Sequence, residues 1–187
     1  MQQLLKLAQS VMREERWKEA IRLLKENSSE VETHWELSWN LGWCYFKLGR
    51  MGEARKYLAR AAKLAPENHA CKFGLGQVYL KTKQYKKAEL ILSEALRLKE
   101  THAARIGLAL AYLAQGRTEE AEKTHLDGIR LKPRKSERYD RTRHFFPSNQ
   151  FTRRNSLAFR FILSASTSHP TSERNAAYDR ILHSFLV

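Results

Sequence analysis

The chain has 187 residues, 42% of them hydrophobic, at a mean hydropathy of −0.60, a composition that suits one water-soluble core with a tail. No apolar run approaches the ~18 residues that span a bilayer, and no cleavage site follows the first apolar residues, so neither a membrane protein nor a secreted one is expected. The net charge of +14 and pI near 10 favour an acidic protein, nucleic acid or anionic lipid as partner without choosing among them.

Read in chain order, the sequence repeats itself. Residues 1–34 carry Leu7-Ala8-x-x-Val11 followed by Trp17-x-x-Ala20. Residues 35–68 carry Leu41-Gly42-x-x-Tyr45 and Met51-x-x-Ala54, residues 69–101 Leu75-Gly76-x-x-Tyr79 and Tyr85-x-x-Ala88, and residues 102–134 Leu108-Ala109-x-x-Tyr112 and Thr118-x-x-Ala121. Ala20, Ala54 and Ala88 stand 34 residues apart and Ala121 follows 33 later, a period that decides architecture before any local reading. Each unit reads as two antiparallel helices that nest where a small residue lets the backbones approach, with Gly42 expected to face Ala54. Tyr45, Leu58, Tyr79 and Leu92 are then expected to fill the space beside the small contacts. Thr33, Asn68 and Thr101 are expected to cap the first helices of units two to four, and Pro66 and Pro133 to stop the helices before them. Ser38 stands where the pattern asks for an aromatic residue. His125 and Gly128 stand where Phe and Ala are usual in such a unit, so unit four is expected to be the least tightly packed.

After Pro133 the composition changes. Residues 135–187 hold one Lys against eight Arg, six of the eight Phe, and eight Ser. Residues 135–147 read as a truncated capping helix ended by Pro147. Residues 148–187 form a basic Ser/Arg/Phe-rich tail with an apolar patch at Leu157 to Leu163. In its last stretch, Tyr178, Ile181, Leu182, Phe185 and Leu186 follow the spacing of an amphipathic helix, with Ser172 as its cap.

These repeated residues resemble the tetratricopeptide family, including its loop glycine at Gly49 and Gly116 and its terminal proline at Pro66 and Pro133. The resemblance implies an all-α fold, a right-handed superhelical solenoid of four antiparallel helix pairs with a partly ordered C-terminal tail. It also implies that first-helix side chains at fixed positions line a concave groove. Those positions select Met12 and Arg13, then Trp39, Trp43, Phe46 and Lys47, then Phe73, Gln77 and Lys81, and Leu110 in unit four. Exposed aromatic residues on such a wall suggest a peptide or helix docking by apolar anchors. A one-residue change of helix phase would instead place Trp39 or Trp43 in the core. The family's clamp for chaperone C-termini is matched only at Asn40, with Leu5, Gln9, Ala70 and Gly74 at its other positions, so a chaperone-tail adaptor is disfavoured.

No grouping of residues argues for catalysis. No Gly-rich phosphate loop occurs, and Cys44 and Cys71 lie in helical patterns without metal spacing, as buried thiols suited to a reducing cytoplasm. Glu32-Thr33-His34, Glu67-Asn68-His69 and Glu100-Thr101-His102 recur once per unit, too far apart to share one metal. The expectation is a cytoplasmic, non-enzymatic scaffold without cofactor or metal, whose partner is another protein or peptide, acidic in character given Arg13, Lys47 and Lys81. Two alternatives stay open. One is nucleic acid at Lys81-Thr-Lys83, Lys86-Lys87 and the run from Arg130 to Arg138; the other is self-association through the C-terminal helix.

Overall fold

The structure, a computed structural model, describes residues 1–130. Nine helices occupy this span: α1 (Gln2–Arg13), α2 (Trp17–Glu26), α3 (Ser28–Thr33), α4 (Trp35–Lys47), α5 (Met51–Leu64), α6 (His69–Lys81), α7 (Tyr85–Leu98), α8 (His102–Ala114) and α9 (Thr118–Arg130). No strand occurs among the described residues. Helix α4 packs on α5, α6 on α7 and α8 on α9, while α5 against α6 and α7 against α8 join the pairs into a helical repeat solenoid. The expected capping helix, the patch from Leu157 to Leu163 and the terminal helix lie outside the described residues.

The two helices of a pair are built differently. In α5 the buried residues are Ala54, Leu58 and Ala61, and in α7 Ala88, Leu92 and Ala95, one stripe at i, i+4 and i+7 on an otherwise polar helix. In α4 all ten residues from Leu37 to Phe46 are buried, and α6 and α8 bury Phe73 to Val78 and Ile106 to Ala111 without a break. Helices that are apolar all round belong inside a structure, and those with one stripe belong on its outside.

Close approach within the pairs is at Leu58 and Leu92, not at the repeated alanines as expected. A Cβ on Gly42 would lie 2.7 Å from Leu58 Cγ and 2.9 Å from the Leu58 backbone nitrogen. On Gly76 it would lie 2.6 Å from Leu92 Cδ2. Ala54 and Ala88 are buried one turn earlier on the same stripes.

All four turns inside the pairs share one conformation. Glu15, Gly49, Lys83 and Gly116 each have φ between 57° and 77°. In unit two the Gly49 N–H donates to Phe46 O at 3.0 Å and the Arg50 N–H to Tyr45 O at 2.9 Å, and the equivalent two bonds recur at Glu15–Arg16, Lys83–Gln84 and Gly116–Arg117. This is the Schellman closure of a helix, which satisfies the last carbonyls and demands a left-handed residue. Glycine supplies it in units two and four. Glu15 and Lys83 hold the same shape at a steric cost.

Capping follows expectation at two of three positions. Asn68 Oδ1 accepts from Ala70 N and Cys71 N, and Thr101 Oγ1 from Ala104 N. Thr33 does not cap α4: its hydroxyl turns back to the Ser29 and Glu30 carbonyls at the end of α3, and His34 precedes α4 without a side-chain cap. The short helix α3, not anticipated from the sequence, is the reason. It also explains Ser38, which is fully buried and donates to the Val31 carbonyl at 2.5 Å. With α3 packed there, a small polar residue serves where an aromatic one was expected. In unit four Ala121 and His125 are buried, so α9 carries an imidazole in the interior.

Candidate functional site

The first helices α4, α6 and α8 carry most of the residues expected at the groove, and their placement can be followed one by one. Trp39, Trp43, Phe46, Phe73, Gln77 and Leu110 are between 3% and 6% exposed. Met12 is buried, Arg13 and Lys47 are exposed, and Lys81 is half-buried. The aromatic residues, expected on an open wall, are therefore covered in the chain itself.

Along α4 the aromatic side chains form a ladder. Trp39 and Trp43 stack with ring centroids 5.5 Å apart and planes 4° apart, and Trp43 stacks on Phe46 at 4.9 Å. Residues i, i+4 and i+7 share one helix face, so the three rings lie in register down α4. The indole of Trp39 also reaches the next unit, donating through Nε1 to the Ala70 carbonyl at 3.1 Å. Met12 belongs to the same apolar cluster as this ladder, whereas Phe73 and Leu110 belong to a second one centred on units three and four.

Two glycines, neither singled out from the sequence as a contact, set the spacing between units. A Cβ on Gly74 would come within 3.2 Å of Trp39 Nε1 and 3.1 Å of Leu58 Cδ2. A Cβ on Gly107 would come within 3.2 Å of both Gln77 Nε2 and Leu92 Cδ1. Each glycine makes room for the preceding unit's large side chain. The signal was present in the sequence as a second small residue two positions before the repeated Gly76 and Ala109, where unit two has Asn40 before Gly42.

Polar groups in this region are few. The amide nitrogens Asn40 Nδ2 and Gln77 Nε2 are buried and meet no hydrogen-bond acceptor among the described residues. An unpaired buried donor costs about 1–3 kcal/mol, so these two mark a place where an acceptor is missing. At the edge, burial pushes the Lys81 ammonium below its ordinary range and the positive charge of Lys47 adds to the shift. Two like charges thus stand within electrostatic range of one another. Arg13 is exposed in the last turn of α1. Both thiols lie in the apolar interior, where burial pushes Cys44 and Cys71 up to about 12.

Comparison with known proteins bears on the fold as a whole. Family models of the tetratricopeptide repeat match residues 36–101 and 73–135, together more than half of the chain. No curated protein matches. Among solved structures, two crystal structures of MamA align with a TM-score of 0.64: one at 26% identity over 68% of this chain and 75% of MamA, the other at 27% over 73% and 75%. A thermophilic TPR protein of Thermus thermophilus aligns at a TM-score of 0.61, with 23% identity over 76% of this chain and 78% of that one. A mutant O-GlcNAc transferase of Thermobaculum terrenum aligns at 0.65 and 24% identity, over 69% of this chain but 25% of the transferase. At that identity the likeness is one of fold, confined to a quarter of the enzyme.

Proposed function

This chain belongs to the tetratricopeptide-repeat family, and from that premise we propose that it is a non-catalytic scaffold whose first-helix face holds a peptide or helix of a partner protein. The observation that carries the reading is the stacked ladder Trp39–Trp43–Phe46, which shares its helix with the unpaired donor Asn40 Nδ2, while a second unpaired donor, Gln77 Nε2, stands on α6. Aromatic side chains supply large apolar contact at low entropic cost. The two amide donors supply what a docked main chain accepts. The lysines at the edge add a preference for acidic side chains near the apolar anchors, because Lys47 and Lys81 bring positive charge to the rim of this face.

The test is selection of binders from a random peptide library displayed against the immobilised chain. Selected peptides should combine an apolar anchor with Asp or Glu. They should lose at least ~10-fold in affinity when Trp43 and Phe73 are replaced by alanine, the removal of two buried aromatic anchors being worth more than the ~1.4 kcal/mol that tenfold requires. The helicity of that variant should stay that of the parent by circular dichroism. Peptides that bind parent and variant equally would overturn the assignment.

A further inference from the structure

The outer helices of the first three units show water one sign of charge. On α2, α5 and α7 fourteen residues are exposed; nine of them are Lys or Arg, and Glu26 alone is acidic. The other acids of these helices are half-buried, and each already has a cation: Glu19 has Arg16, Glu53 has Arg50, Glu89 has Arg117 and Glu94 has Lys72. Helix α9 is the contrast, with Glu119, Glu120 and Glu122 exposed beside Lys123. A surface whose only duty is solubility intersperses the two signs, whereas a segregated one attracts a polyanion.

The cations fall into rows. Lys18, Arg22 and Lys25 stand at i, i+4 and i+7 of α2, one stripe that rises about 10 Å along the helix. Helix α5 adds Arg55, Lys56 and Lys63, with the small residues Gly52 and Ala59 exposed among them. The 34-residue period sets these rows in line from unit to unit: Arg22 recurs as Lys56, Lys63 as Arg97, and Lys18 two units later as Lys86, beside Lys87. Of the basic runs read from the sequence, Lys86-Lys87 is therefore the part that lies on this wall. The wall offers no open ring. Trp17, Tyr57 and Tyr85, the aromatic residues of these helices, are half-buried, and Lys56 and Arg60 lie 5.5 and 5.7 Å from the Tyr57 ring.

We propose that this wall is a contact surface for double-stranded nucleic acid, held through its phosphates and independently of sequence. It is a different face from the one read as holding a peptide, and it does not depend on that reading. The chemistry of the wall separates a duplex from the other polyanions. An acidic protein needs an apolar centre to its interface, and Leu64 and Leu90 are the only large apolar side chains exposed on these helices. An anionic bilayer takes up an amphipathic helix by its apolar stripe, and α5 and α7 turn theirs inward at Leu58 and Leu92. A single strand is held by bases stacked on exposed rings, which the wall lacks. A duplex keeps its bases inside and presents phosphates, for which Lys and Arg suffice. Gly52 and Ala59 leave a sugar–phosphate strand room to approach between the cations of α5.

The experiment uses the full chain and a labelled DNA duplex of about 20 base pairs, with fluorescence anisotropy read from about 50 to 200 mM salt. Contact by about five cations at once gives a log–log slope near −4.5, a loss of roughly 500-fold across that range. Two duplexes of unrelated sequence should bind within about threefold of one another, and an RNA duplex within about tenfold, since the phosphates are shared. Lys18→Gln/Lys25→Gln and Lys56→Gln/Lys63→Gln should each weaken binding at least about tenfold at low salt and flatten the slope by about one to two. Lys6→Gln/Lys123→Gln removes the same charge away from the wall and should change affinity by less than about threefold. All six lysines are exposed, and circular dichroism should show the parent helicity in each variant. No binding at low salt overturns the proposal, as does an equal loss from the pair away from the wall, which leaves net charge as the whole cause. Tighter binding to a single strand of the same length overturns it too. So does capture by vesicles of about 30% phosphatidylserine with no binding to the duplex, which makes the partner a membrane.

Discussion

Adding one methyl group at three glycines should give effects of different size and sign. Gly42→Ala inserts a carbon 2.7 Å from Leu58 Cγ and 2.9 Å from the Leu58 backbone nitrogen. Leu58 is fully buried, and no rotamer change moves its main chain, so α4 and α5 must separate by a few tenths of an ångström or more. Overpacking of this kind costs about 1–3 kcal/mol, partly offset by the ~1 kcal/mol by which alanine favours a helix over glycine. The net expectation is a loss of about 0–2 kcal/mol, centred near 1. Gly76→Ala meets only side-chain atoms, Leu92 Cδ2 and Cγ at 2.6 and 2.7 Å, and should lose less. Gly52→Ala meets nothing within 4 Å in the first turn of α5 and should gain a few tenths to ~1 kcal/mol. Urea denaturation followed by circular dichroism checks all three, with midpoints compared at unchanged slope. A Gly42→Ala variant more stable than the parent, or a Gly52→Ala variant destabilised by more than ~1 kcal/mol, would refute the packing argument.

The shared turn conformation makes Lys83→Gly stabilising and Gly49→Ala destabilising, each by about 1 kcal/mol, readable as opposite shifts of the same denaturation midpoint. Asn68→Ala removes a cap that accepts two backbone N–H groups and should cost ~1 kcal/mol, while Thr33→Ala, whose hydroxyl faces the end of α3, should stay within ±0.5 kcal/mol. Cys44 and Cys71, pushed up to about 12 from 9.0, should resist a thiol reagent in the native chain and react on unfolding. Because their folded values lie above the unfolded ones, their contribution to stability is complete below pH 9 and is lost as pH rises from 9 towards 12. The double variant Cys44→Ala/Cys71→Ala should therefore lose less stability than the parent between pH 8 and 10.5. Gly74→Ala should displace the Trp39 indole and weaken its bond to the Ala70 carbonyl; a double-mutant cycle with Trp39→Phe should return a coupling of about 0.5–1.5 kcal/mol, and additivity would deny the contact.

How much of this was legible in the sequence follows from what a repeat encodes. Helix-pair packing is local and recurs, so Ala20, Ala54, Ala88 and Ala121 mark it openly, and the alternation of buried and polar residues on α5 and α7 follows from period alone. Asn68 and Thr101 were legible for the same reason, since a cap acts on its own next turn. Thr33 was not, because α3 interposes a turn of helix that no periodic signal announces, and that same helix explains Ser38. The left-handed turns at Glu15 and Lys83 were hidden because residue type there follows no rule once two hydrogen bonds impose the backbone shape.

The candidate site divides along the same line. The phase of α4 places Trp39, Trp43 and Phe46 on one face from spacing alone, and the structure adds that they stack. Their burial is a different kind of fact. It depends on what lies over them, which helical phase does not encode, and so the sequence could only weigh groove against core for Trp39 and Trp43. On the proposed reading these alternatives are not exclusive. Trp39 is interior with respect to unit three, where Gly74 leaves the space its indole occupies, and it is also the first rung of the ladder on α4. A residue that holds two units together and lines the proposed docking face would tie the two roles energetically: a peptide stacked on Trp43 would lean on a ring already fixed by Trp39 and, through it, by the Ala70 carbonyl. Preorganisation of this kind lowers the ordering cost of binding. It also means that Trp43→Ala tests docking, whereas Trp39→Ala tests docking and the junction of units two and three together.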